Sequence, residues 1–154
     1  MNRMRELGVM LALTVAWRPA MGAGVAAEAP AEMAALHGRV VYLDFWASWC
    51  APCRQSFPWM QMMQADYADR GLTIIAVNLD RDRADADAFL RRFQPAFQVR
   101  FDPAGAWAQH YRVRGMPSSV LIDRHGEIRF THIGFRPADA AGYEQQITQL
   151  LAEP

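Results

Sequence analysis

The stretch Val40-Val41-Tyr42-Leu43-Asp44-Phe45 is a near-continuous apolar run broken only by one acid. A strand with one wet face alternates polar and apolar side chains, so a run without alternation reads as a strand covered on both faces. Such a strand needs neighbours on each edge and helices above and below. A second run of this kind follows at Leu72–Leu79 (LTIIAVNL). Between them a helical pattern from about Ala51 to Tyr67 places Phe57, Met60, Met63 and Tyr67 on one face, with Pro58 inside it as an expected kink. A short helix is expected over Ala31–Leu36, ending near Gly38. Asp85–Phe93 reads as a helix with Ala88, Phe89 and Phe93 inward, Phe97–Phe101 as an edge strand and Gly105–Tyr111 as a short helix. Ser119–Asp123 and Glu127–Ile133 flank the turn Arg124-His125-Gly126, a hairpin signal. Pro137 opens a last helix with Tyr143, Ile147, Leu150 and Leu151 on its apolar face. The expected fold class is α/β, a central mixed sheet with helices on both faces. At 154 residues the chain carries one domain with a real core and shows no internal repeat.

The first 27 residues read as an address. Met1–Glu6 holds two arginines, Gly8–Trp17 is apolar and uncharged, and Ala20–Ala27 is a small-residue stretch ending in a cleavage-like Val25-Ala26-Ala27. Ten apolar residues are too few for a bilayer core of about 30 Å, and no cysteine follows to carry a lipid. Residues 1–27 are therefore expected to be a cleaved signal peptide and 28–154 the folded domain, exported to the periplasm, where disulfides persist. All basic residues are arginine; without the leader, 13 basic and 15 acidic side chains remain. The arginines are scattered, with Arg91–Arg92 the one doublet, so no nucleic-acid footprint exists.

Cys50 and Cys53 are the only cysteines. Haem attachment needs a histidine directly after the second cysteine, where Arg54 stands. Structural zinc needs four ligands, and no second cysteine pair exists. His37, His110, His125 and His132 show no ligand-like spacing and read as surface or turn residues. A structural disulfide across so short a loop would constrain the unfolded chain little. A dithiol–disulfide catalyst fits best. The thiolate is the nucleophile, and Cys50 at a helix N-terminus has unpaired N–H groups and the helix dipole to favour it. Cys53, one turn deeper, would resolve the mixed disulfide. Pro52 suits the first turn because its missing N–H costs nothing there.

Asp44-Phe45-Trp46-Ala47-Ser48-Trp49-Cys50-Ala51-Pro52-Cys53, with Pro58 in the helix, resembles the thioredoxin active-site motif. Arg114-Gly115-Met116-Pro117 resembles the segment that carries the thioredoxin cis-proline, which implies a cis Met116–Pro117 bond beside the cysteines and a role in docking substrate. Ser118–Gly126, and the roughly forty residues separating Thr73–Asn78 from Pro117, resemble the TlpA/ResA-like branch of exported thiol-disulfide oxidoreductases. The resemblance covers about residues 38 to 151 and implies a thioredoxin-like fold. It places Asp44 beneath Cys53, Trp46 under the cysteines and Trp49 as their cover. Ala51-Pro52 departs from the Gly-Pro of thioredoxins, and fewer residues than usual precede the first core strand. Ala76 stands where thioredoxins place a lysine near the aspartate, so nothing would offset the rise that burial gives the Asp44 pKa. Asp44 is then the expected acceptor of the Cys53 proton.

Ala51-Pro52 offers no charge or donor to hold a thiolate strongly, which points to a reductant rather than an oxidant. By the resemblance, the partners are disulfide-containing exported proteins, apocytochromes among them, and a membrane electron-relay protein that recharges the pair. No cofactor and no metal is expected, and the chain is expected to be a monomer. Two other readings stand beside this one. A thiol peroxidase is disfavoured because Leu43 and Ala47 occupy the proline and threonine positions of P-x-x-x-T-x-x-C. A copper-binding or chaperone module is disfavoured because Met60, Met62 and Met63 sit at core spacing on a helix.

Overall fold

Seven consecutive buried residues form strand β1, Val40–Trp46, the centre of a five-stranded sheet. The computed structural model describes residues 31–154, so the expected leader lies outside the described residues. β2 (Leu72–Asn78) runs parallel to β1 and is buried at every position. β3 (Gln98–Phe101) runs parallel to β2 at one edge. On the other side β4 (Ser118–Ile122) lies antiparallel to β1, and β5 (Ile128–Ile133) antiparallel to β4. The order is therefore β3-β2-β1-β4-β5.

Because side chains alternate across a strand, β1 feeds two cores. Val40, Tyr42 and Trp46 pack with α2 (Cys53–Tyr67), α3 (Arg83–Phe93) and α5 (Ala140–Ala152). Val41, Leu43 and Phe45 meet α1 (Ala31–Ala34) and α4 (Ala106–His110) on the opposite face. The sheet thus has helices on both sides, as the unbroken apolar runs require.

Two side chains depart from the sequence reading. In α3 the inward residues are Ala86 and Phe89, with Phe93 partly covered, while Ala88 is exposed. The helix starts at Arg83, where the Asp82 carboxylate accepts the Ala84 N–H at 2.9 Å. Ala86 and Phe93 lie one turn either side of Phe89, whereas Ala88 lies about 100° around the axis from it. In α2, Met60 and Met63 are buried but Met62 is 55% exposed, so only two of the three methionines fill the core. The last helix also begins later than Pro137, which opens a single 3-10 turn, Pro137–Asp139, ahead of α5.

The hairpin turn is held by Asp123, whose Oδ1 accepts the N–H of His125 at 2.9 Å and of Glu127 at 3.0 Å, with Gly126 supplying the left-handed φ of 86°.

Phe57 joins α2 to the sheet. Fully buried, it lies 4.9 Å from the Trp46 ring, 4.8 Å from Phe89 and 5.4 Å from Phe97. Phe57→Ala should lower unfolding stability by about 3–5 kcal/mol, read as a lower urea midpoint at unchanged slope, with Phe57→Leu losing far less.

Candidate active site

The site sits where the chain leaves the carboxyl ends of β1 and β2, a crevice that open α/β sheets commonly use. After Trp46 the backbone turns through Ala47-Ser48-Trp49, and Asp80 at the end of β2 clamps that turn. Its Oδ2 accepts the Ser48 N–H at 2.9 Å and its Oδ1 the Ser48 hydroxyl at 2.9 Å. Asn78 Nδ2 donates to Asp80 Oδ2 at 2.7 Å, fixing the carboxylate. The Cys50 N–H then returns to the Ala47 carbonyl at 3.1 Å. Ser48, Asn78 and Asp80 escaped the sequence reading. Their only signal was an acid just past a buried strand.

Cys50 and Cys53 form a disulfide with Cα atoms 5.3 Å apart. Pro52 is already helical (φ −63°, ψ −28°) and α2 runs from Cys53. The Cys53 N–H, one of the donors a helix start leaves without a partner, donates to Cys50 Sγ at 3.3 Å. Cys50 retains 4% exposure and Cys53 none. Ala51 and Pro52 are exposed and Trp49 is 68% exposed. Solvent therefore meets Cys50 at the surface formed by these three residues, and Cys53 is shut off from it.

Asp44 lies on the β1 face that carries Tyr42 and Trp46, the face covered by Cys53 and Phe57 of α2. It is 1% exposed and its Oδ2 makes no hydrogen bond among the described residues. Its register partner on β2 is Ala76 and on β4 Ser119. Burial alone pushes the Asp44 carboxyl well above the usual carboxylate range, and no cation among the described residues opposes it. Trp46 is wholly buried against Phe57 and Phe89, with its indole N–H also unpartnered among the described residues.

Phe45 pairs with Ser118, so Met116 and Pro117 lie at the end of the sheet where the cysteines follow β1. The Met116–Pro117 peptide is cis. Pro117 is buried, Met116 half-buried, and the Gly134 N–H donates to the Pro117 carbonyl at 2.7 Å. An open groove of about 570 Å³ starts beside Ser118 and is lined by Arg112, Arg114 and the 70% exposed Ile133.

Among the histidines, His132 does not behave as a surface or turn residue. It sits in β5, half-buried, bonded to Ser119 and Gln146 and stacked on Tyr143 at 4.0 Å.

Comparison with known proteins agrees with this geometry. The Redoxin family profile matches residues 25–147. Thiol-disulfide oxidoreductase ResA of Oceanobacillus iheyensis is 35% identical over 101 residues, covering 66% of this chain and 53% of that protein. A thiol-disulfide oxidoreductase ResA of Bacillus cereus is 32% identical over 118 residues, covering 76% of this chain and 68% of that protein. The chain thus spans about half the length of the first of these curated relatives. A crystal structure from Chlorobium tepidum assigned as thiol:disulfide interchange protein DsbE superposes with a TM-score of 0.76 at 53% identity, over 78% of this chain and 85% of that one. StoA of Bacillus subtilis superposes with a TM-score of 0.61 at 26% identity, over 70% of this chain and 81% of that one. With a family profile running over most of its length and its sheet superposing on these structures, the chain belongs to the Redoxin family and has a thioredoxin-like fold.

Proposed function

We propose that this chain is a thiol-disulfide oxidoreductase that reduces disulfides in other exported proteins. The observation that carries the reading is the asymmetry of the cysteine pair. Cys50 Sγ, at the mouth of α2, accepts a backbone N–H at 3.3 Å, while Cys53 is fully enclosed on the face that holds Asp44. In the reduced enzyme that N–H and the helix dipole favour a Cys50 thiolate.

The Cys50 thiolate attacks one sulfur of the target disulfide, forming a Cys50–target bond and releasing the other sulfur as thiolate. Cys53 then gives its proton to the Asp44 carboxylate and bonds to Cys50 Sγ, and the second target sulfur leaves as thiolate. The pair loses two electrons and the target disulfide gains them. Trp49 and Met116 are the surfaces against which the target chain docks, with the buried Pro117 setting the backbone of that segment. The uncharged Ala51-Pro52 bridge gives the thiolate no added cation, which favours donation of electrons. The leader-like residues 1–27 support a periplasmic location, in which a membrane electron-relay protein recharges the pair. Apocytochromes are one class of target, and the ResA and DsbE names of the relatives accord with disulfide exchange.

Three outcomes follow. Cys50→Ser should bring reduction of a model protein disulfide to background, Cys53→Ser should accumulate the mixed disulfide as a mass adduct, and the reduction potential should fall below about −200 mV. A potential near about −120 mV would reverse the direction of electron flow.

Asp44→Asn should slow resolution at neutral pH by on the order of 10²-fold. In wild type the resolution rate should rise with pH as the elevated Asp44 carboxyl ionises, and that inflection should vanish in the variant.

The same ionisation affects stability with a defined sign. A raised folded-state pKa means that Asp44 costs nothing while both states are protonated, below about pH 4, and destabilises increasingly as pH rises from there through the folded value. Asp44→Asn should therefore raise Tm at pH 7 and leave it unchanged at pH 3, measured by calorimetry on the disulfide form.

A further inference from the structure

The proton that Cys53 passes to Asp44 has to leave, because a second turnover needs the carboxylate back. Asp44 is enclosed on every side, so its exchange with solvent requires a route. One polar row crosses the sheet at its level. Asp44 of β1 is in register with Ser119 of β4, and Ser119 with His132 of β5. Directly opposed residues on one face bring their Cβ atoms within about 4.5–5.5 Å.

The hydrogen bonds of this row all point outward. Tyr42 Oη donates to Ser119 Oγ at 2.8 Å. His132 Nε2 lies 2.7 Å from Gln146 Oε1, an acceptor, so Nε2 carries the hydrogen. Nδ1 is then an acceptor and takes the Ser119 hydroxyl hydrogen across 3.0 Å. Ser119 Oγ keeps one lone pair, and its register neighbour Asp44 has an Oδ2 with no hydrogen-bond partner among the described residues. Tyr42 and Ser119 are buried, while His132 and Gln146 are half-buried and reach the surface between β5 and α5.

We propose that Ser119 and His132 form the relay that returns the Asp44 proton to solvent in each catalytic cycle, with Tyr42 and Gln146 setting its resting polarity. Ser119 Oγ receives the Asp44 proton as its own hydrogen moves to His132 Nδ1 and the Nε2 hydrogen passes to solvent water at the Gln146 end. Before the next turnover the half-buried imidazole exchanges with solvent, losing the Nδ1 hydrogen and regaining one at Nε2, which restores the resting polarity. No electrons move in this step. Burial holds the imidazole below its ordinary value and so neutral, with its acceptor nitrogen open, and no charged group contributes to that shift. Polar and charged groups border the row from several elements. α5 contributes Tyr143, stacked on the imidazole, and behind it the 3-10 turn carries Asp139, paired with Arg136. Glu144 of α5 accepts the Tyr67 hydroxyl of α2 at 2.6 Å. β2 presents Ala76. Ser119 and His132 are positioning residues and touch no substrate.

The relay rests on Asp44 being the acceptor of the Cys53 proton, and the test separates the two. Full-length Ser119→Ala, His132→Ala and Asp44→Asn are assayed for turnover of a model protein disulfide with dithiothreitol as reductant, across pH and with added imidazole. Ser119→Ala and His132→Ala should lower kcat about fivefold while kcat/KM, which reports the Cys50 attack, stays within about twofold of wild type. Imidazole should restore His132→Ala and leave Ser119→Ala slow. Ser119→Ala removes a single oxygen, and it decides the matter should the histidine variant unfold. Equal losses in kcat and kcat/KM with an unchanged pH profile would make the row structural and overturn the relay. Wild-type kcat in Ser119→Ala and His132→Ala, beside a changed profile in Asp44→Asn, would overturn the relay while leaving Asp44 in place. An unchanged profile in Asp44→Asn would remove both.

Discussion

A strand with no solvent side is the constraint from which the rest follows. Every residue of β1 is buried, so its two edges must be paired and its two faces covered. β2 and β4 satisfy the edges, and the helices satisfy the faces with two separate apolar clusters. The one acid in that strand is shut off from bulk solvent. Asp44 is consequently a carboxyl whose charge the fold opposes, and the cysteine pair begins just past the end of the same strand. The geometry that makes the centre of the sheet stable therefore makes this acid a strong base once ionised.

Stability and chemistry pull against each other at this position. In the proposed mechanism the ionised Asp44 is the form that accepts a proton from Cys53, and it is also the form that burial penalises. A cation opposite would relieve the cost and weaken the base, but the register partner on β2 is Ala76. On the other side, Ser119 brings a hydroxyl rather than a charge. The surrounding structure supports this strain with well-satisfied groups elsewhere, such as Asp80, which receives three hydrogen bonds from Ser48 and Asn78.

The fold was largely legible because the strongest signals in the sequence, the unbroken runs at β1 and β2 and the turn at Arg124–Gly126, are local. Errors arose where neighbours in sequence were assigned to one face. In α3 the 3.6-residue period set by Phe89 and Phe93 turns Ala86 inward, while Ala88, adjacent to Phe89 in the chain, lies off that face. Met62 has the composition of a core residue and the angular position of a surface one. At the site, the cysteines, Asp44 and the Met116–Pro117 segment could be named from motifs. The Asp80 clamp and the Tyr42–Ser119–His132 row could not, because each joins residues from different strands whose relation depends on register. His132 read as a surface residue since nothing nearby in sequence shows that β4 places Ser119 beside it.

The central claim is that the helix mouth holds Cys50 as a thiolate while Cys53 remains an enclosed thiol. The most direct measurement is the pH dependence of alkylation of the reduced protein by iodoacetamide, with each cysteine followed by peptide mass. Cys50 should react with an apparent pKa well under the ordinary thiol value of about 8.5, and Cys53 should stay unmodified across the same range. Alkylation of Cys50 that follows an unshifted thiol, or modification of Cys53 first, would contradict the account.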